Sequence, residues 1–166
     1  DLLVVVDVQN DFCAGGALAT ATGHAIVPVI NKVARHFDNV VLTQDWHPRG
    51  HVSFASSHEG KQPFDTVEMP YGTQVLWPDH VVQGTPGAEF HPDLDIPHAQ
   101  LVIRKGYLPH VDSYSAFRMV DGQTMTGLAG YARERNIERI FVTGIATDYC
   151  VSGLAMDAHA LGFKTL

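Results

Sequence analysis

The sequence is short of cysteine, short of basic charge and free of long apolar runs, and each shortage excludes something. Cys13 and Cys150 are the only thiols. Two cysteines do not make a disulfide framework, and a reducing cytoplasm is the default compartment. Eleven Lys and Arg stand against 18 Asp and Glu, a formal charge of −7. That balance argues against nucleic acid or an anionic membrane as a partner. No apolar stretch reaches the ~20 residues needed to span a bilayer, and no signal-peptide pattern opens the chain. Internal repeats and low-complexity tracts are missing too. What remains is 166 residues, 45% hydrophobic and 17% charged, which suits one soluble globular domain over 1–166. The chain opens at Asp1 without a methionine and closes on a strand-like Gly162-Phe163-Lys164. It is therefore expected to be a piece of a slightly longer protein.

Strand and helix patterns alternate. Leu2-Leu3-Val4-Val5-Val6 is a continuous apolar run, as expected for a parallel strand covered on both faces. Ile26, Ile30, Val33, Ala34 and Phe37 share one helical face. Val40-Val41-Leu42-Thr43 and Leu101-Val102-Ile103 read as strands. Leu128, Ala129, Ala132 and Arg135 suggest a helix ending near Asn136, and Arg139 to Thr143 a further strand. Between roughly 45 and 97 lies a long stretch with little periodicity, rich in Pro, Gly, His and Asp. Insertions of that length in a compact domain are usually functional. The alternation predicts a parallel sheet with helices on both faces. Ligands in such folds bind beyond the C-terminal ends of the strands. Asp7, Asp45, Lys105 and Cys150 all fall at or just past such an end.

Cys150 follows the strand, the bend Gly144-Ile145-Ala146 and a capping Thr147, so it is expected at the third position of a helix. A thiol there faces unpaired N–H groups and the positive end of the dipole, which favours loss of its proton. Asp7 can serve as its base, and Lys105 can hold both in their ionised forms. The plainer alternative is a buried Asp–Lys ion pair beside an inert cysteine. The backbone N–H groups of Ala146 and Cys150 can form an oxyanion hole, or the bend can be a routine strand-to-helix turn.

A second constellation lies in the insertion, where several of the ten histidines cluster. Asp45 and His47 project to the same side of an extended segment. With His80 they give two imidazoles and a carboxylate, a set that suits one divalent ion: zinc or iron, with manganese also fitting. His51 and Ser53 are near enough in sequence to add a ligand. The alternative is a solvated loop with unconnected histidines. Phe12, Trp46, Trp77 and Tyr114 are candidates for a slot that takes a planar ring. Cys13 reads as a packing residue.

These residues resemble the nicotinamidases of the isochorismatase-like cysteine hydrolases. The resemblance rests on Asp7-Val8-Gln9-Asn10-Asp11-Phe12, Asp45-Trp46-His47-Pro48, Trp77-Pro78-Asp79-His80 with Gln83-Gly84-Thr85, Lys105-Gly106, and Gly144-Ile145-Ala146-Thr147-Asp148-Tyr149-Cys150-Val151. It runs in order over nearly the whole chain. It implies a Rossmann-like three-layer α/β/α sandwich around a mainly parallel six-stranded sheet, the last strand incomplete. It implies Asp7 as general base, Lys105 as electrostatic partner and Cys150 as nucleophile. A cis peptide is implied between Ile145 and Ala146. A metal is implied on Asp45, His47 and His80, with the substrate ring among Phe12, Trp77, Tyr114 and Ile145. Val81 departs from the family, which usually has cysteine there.

The implied reaction is hydrolysis of nicotinamide, and of pyrazinamide, through a Cys thioester, in NAD salvage. The partner would be a small-molecule substrate, and homo-oligomerisation is left open. Rivals are another cysteine amidohydrolase of the superfamily and a metal-binding module that kept the fold without turnover.

Overall fold

The computed structural model describes all 166 residues. Its strands are β1 (Leu2–Val6), β2 (Val40–Asp45), β3 (Thr66–Met69), β4 (Gly72–Val75), β5 (Leu101–Lys105), β6 (Arg139–Gly144) and β7 (Lys164–Thr165), and its helices are α1 (Val27–Ala34), α2 (Leu128–Glu134) and α3 (Ser152–Ala160). Five strands form a parallel sheet in the order β5-β2-β1-β6-β7.

β1 shows why the apolar run is continuous. Leu2, Val4 and Val6 point to one face, where Leu128 and Ala132 of α2 and Leu154 and Ala158 of α3 pack. Leu3 and Val5 point to the other, against Val27, Ile30 and Ala34 of α1. Both faces are dry, so neither parity of the strand can be polar. The result is the expected three-layer α/β/α arrangement.

The sheet has five strands, not the six implied by the resemblance. β7 holds only two residues, and no strand pairs beyond it. β3 and β4 do not join the sheet but form an antiparallel hairpin of their own. That hairpin lies inside the stretch read as irregular. Of its eight strand residues only Gln74 is buried, so the apolar alternation that signals a strand is missing.

The chain order runs outward from β1 in both directions, through β2 to β5 on one side and through β6 to β7 on the other. The reversal falls between β1 and β6, which is where such sheets open a crevice at their C-terminal ends. Asp45 and Lys105 are register partners at the ends of β2 and β5. Asp7 follows β1, and Cys150 lies beyond β6. At Gly144 (φ 126°) any Cβ would strike the Val6 carbonyl, so β6 can leave the sheet so close to β1 only with glycine there. No helix is long and apolar enough to cross a membrane.

Candidate active site

Lys105 is fully buried at the centre of the rim. Its Nζ lies 2.9 Å from Asp7 Oδ2, 3.1 Å from Asp45 Oδ1, 3.4 Å from Cys150 Sγ and 3.1 Å from the Ser113 carbonyl, to which it donates. Neither Asp7 Oδ2 nor Asp45 Oδ1 has another hydrogen-bond partner, so the Lys105 charge is what offsets their burial. Thr43 holds Asp7 from the neighbouring strand. Its hydroxyl accepts from the Asp7 N–H at 3.1 Å and donates to Asp7 Oδ1 at 2.6 Å. Asp7 sits at φ 48°, a conformation aspartate tolerates better than most residues.

The charges follow from this packing. Burial pushes Asp7 above the ordinary carboxylate range, and Lys105 pulls it back only in part. Burial works against the Lys105 charge, but Asp45 and Asp7 outweigh it and keep the ammonium protonated. Burial also pushes the Cys150 thiol well above its ordinary value, with Lys105 opposing. A helix start alone predicts a readily lost proton, and the structure differs. Thr147 is not the cap. A π-turn over Thr147–Val151 precedes α3, and the Ala146 carbonyl accepts from the N–H groups of Tyr149 and Val151. Burial in that turn pushes the thiol up, opposite to the direction a helix start alone predicts, and Asp7 beside it is a carboxylate able to take its proton. The Ile145–Ala146 peptide is cis.

Asp45 also faces the other way. Its Oδ2 lies 3.2 Å from His47 Nε2 and 3.9 Å from His80 Nε2. The donor atoms of Asp45, His47 and His80 all lie within 4.8 Å of one another, and all three residues are buried. Their donor chemistry suits a divalent cation. His47 Nδ1 is 2.8 Å from the Gly106 carbonyl, and His80 Nδ1 is 2.8 Å from the Pro78 carbonyl. A carbonyl only accepts, so each Nδ1 carries a proton and Nε2 is the nitrogen that faces Asp45. Burial and the neighbouring His47 push His80 down to about 4, which keeps it neutral. Burial works against a charge on His47, yet Asp45 more than reverses this, so the site favours positive charge between them. Gly106 (φ 61°) is required here, because a Cβ would stand 2.5 Å from His47 Cε1 and 2.7 Å from Nδ1.

His51 and Ser53 do not join these three. His51 Nδ1 lies 2.7 Å from Ser53 Oγ, and its Nε2 lies 3.1 Å from the Val111 carbonyl. Both ring nitrogens are thus engaged, and the ring stacks on His47 with centroids 4.0 Å apart.

A cavity of about 280 Å³ opens over Cys150 and the three donors. Phe12, Trp77 and Tyr114 line it, as does Ala146. Asp7 and Lys105 stand behind Cys150 with no exposed surface. Ile145 packs away from this space, among Phe12, Cys13, Val81 and Ala88. Trp46 is elsewhere too, under the Arg104 guanidinium at 3.9 Å.

Several cavity residues escaped sequence reasoning, among them Tyr149, Phe64 and Asp112. Tyr149 meets Trp77 edge-on at 4.8 Å, Phe64 meets the same indole at 6.0 Å, and Asp112 is buried 3.9 Å from His47 Nε2. Tyr149 was findable, since it precedes the nucleophile candidate. Phe64 and Asp112 sit in loops without periodicity and carried no signal.

The sequence matches the isochorismatase domain family over residues 1–166. The chain belongs to that family. It is 58% identical over 163 residues to a nicotinamidase of Acinetobacter baylyi, covering 98% of this chain and 76% of that protein. Its structure superposes on a nicotinamidase/pyrazinamidase of Acinetobacter baumanii with a TM-score of 0.98 and 62% identity, covering 99% of this chain and 79% of that one. A pyrazinamidase of Pyrococcus horikoshii solved in complex with zinc gives a TM-score of 0.78 at 37% identity, over 98% of this chain and 79% of that one.

Proposed function

We propose that this protein hydrolyses nicotinamide to nicotinate and ammonia, and pyrazinamide in the same way, with Cys150 as nucleophile. The observation that carries the reading is Lys105 Nζ at 3.4 Å from Cys150 Sγ and 2.9 Å from Asp7 Oδ2, behind an aromatic cavity. The relatives' names supply the substrate class.

The chemistry runs through this chain's own groups. Asp7 takes the Cys150 proton as Sγ bonds to the carboxamide carbon, and Lys105 stabilises the sulfur as its charge develops. The N–H groups of Ala146 and Cys150 receive the oxyanion. The C–N bond then breaks, and Asp7 gives its proton to the leaving ammonia. Water replaces ammonia and loses a proton to Asp7 as it attacks the thioester. Breaking the S–C bond releases nicotinate, and the proton returns to Cys150. Phe12, Trp77 and Tyr114 hold the ring and exclude water. Asp45, His47 and His80 would hold one divalent cation, zinc or iron, with manganese also fitting. When bound, such a cation supplies a Lewis acid for a ring nitrogen and for water.

Ammonia release from nicotinamide, measured with and without a chelator, tests the reading. Release that falls on chelation and returns with metal is expected. No release by the metal-loaded protein would overturn the substrate. Metal content separates the runner-up, an amidase for another small amide, because the donor set would then serve no pyridine ring.

A further inference from the structure

Asp112 is a buried carboxylate with no lysine or arginine beside it. It is 2% exposed, its Oδ1 lies 3.9 Å from His47 Nε2, and His51 belongs to the same cluster within 4.8 Å. Lys105 is already committed to Asp7 and Asp45. Two neutral donors hold Asp112 in place. The Ser113 N–H donates to Oδ1 at 2.8 Å, and Gln74 Nε2 donates to Oδ2 at 2.8 Å. These contacts explain the residue's position, and a carboxylate in that position offers an acceptor on both oxygens. Each carboxylate oxygen also keeps a spare lone pair.

Its placement narrows the role. Asp112 shares a cluster within 4.8 Å with His47 and His51, and Asp45 and His80 belong to a separate cluster with His47. Of the three metal donors Asp112 is grouped with His47 alone, and it approaches that ring at Nε2, the nitrogen that faces Asp45. It lines the cavity there. A carboxylate beside a coordination position, but not within it, accepts hydrogen bonds from water on the cation and adds charge that retains the cation.

Gln74 gives the hairpin a part in this. It is the one buried residue of β3 and β4. Tyr71, at the turn, donates to Gln74 Oε1 at 3.1 Å. A chain of contacts thus runs from the turn through Gln74 and Asp112 to His47.

We propose that Asp112 is the outer carboxylate of the metal centre, a positioning residue that accepts from water on the cation held by Asp45, His47 and His80, and that Gln74 of the hairpin aims it. The proposal rests on the metal reading above.

The test compares wild type with Asp112→Asn, both stripped of metal, by zinc competition against a chromogenic chelator and by thermal unfolding without metal. Zinc binding by Asp112→Asn is expected to weaken roughly 10–100-fold. The metal-free variant should unfold at about the temperature of metal-free wild type, because the amide oxygen still accepts from the Ser113 N–H. A residue that only ties down its loop would give the reverse: lower metal-free stability with zinc affinity unchanged. That result overturns the proposal and leaves the metal reading standing. Failure of wild type to bind zinc at all removes both. Gln74→Leu carries the test if Asp112→Asn does not fold. A smaller fall in zinc affinity supports the proposal, and an unchanged affinity contradicts it.

Discussion

Lys105 and Asp45 meet across 3.1 Å at the ends of two neighbouring strands, and that contact joins the thiol to the metal donors. Asp45 uses Oδ1 for the ammonium and Oδ2 for the histidines. One carboxylate thus serves two positive centres, and Lys105 in turn serves two carboxylates and the sulfur. A change on either side is felt on the other.

Lys105→Met is the most disruptive single change expected in the chain. It leaves Asp7 and Asp45 buried and unneutralised, at a cost of about 3–5 kcal/mol. Urea unfolding of the two proteins measures the loss. A variant within 1 kcal/mol of wild type would mean that the ion cluster contributes little.

Gly106→Ala should weaken metal binding, and it presses on Asp45 Oδ1, the oxygen paired with Lys105, at 2.9 Å. The added Cβ meets the His47 ring at 2.5 Å and forces it off Asp45. Metal content after dialysis reads the effect. Full retention would show that the ring has room to move.

Asp7 sets the acid side of the pH profile. Activity needs its ionised form, and burial raises its pKa above the ordinary 3.8. Rate should therefore fall as pH drops through a value above the usual carboxylate range. Cys150 and Lys105 are both held above their ordinary values, so neither adds an alkaline limb below about pH 9. The pH dependence of kcat/KM checks both sides. An acid limb at or below 3.8 would contradict the role given to Asp7.

Much of this was legible because parallel sheets announce themselves. Continuous apolar runs at Leu2–Val6 and Val40–Leu42 can only be strands covered on both sides, and their C-terminal ends deliver Asp7 and Asp45 to one rim. Ordered motifs gave His80, which periodicity would not have found. The hairpin was illegible because it buries one polar side chain. Asp112 and Phe64 were illegible because their importance depends on a loop fold that no local pattern encodes. A helix-start argument sees the backbone and not the burial around Cys150, which pushes its thiol up.

Cys150 and Cys13 should separate in alkylation. Both are buried thiols, and burial raises both. Only Cys150 lines the cavity and has Lys105 at 3.4 Å. Iodoacetamide followed by peptide mapping should modify Cys150 much faster. Equal rates would remove the distinction between nucleophile and packing residue.

The most direct test is ammonia release from nicotinamide by metal-loaded wild type and Cys150→Ala, with metal content measured on the same samples. Release by wild type, none by the variant, and equal metal in both is the predicted result. Turnover retained by Cys150→Ala would contradict the account.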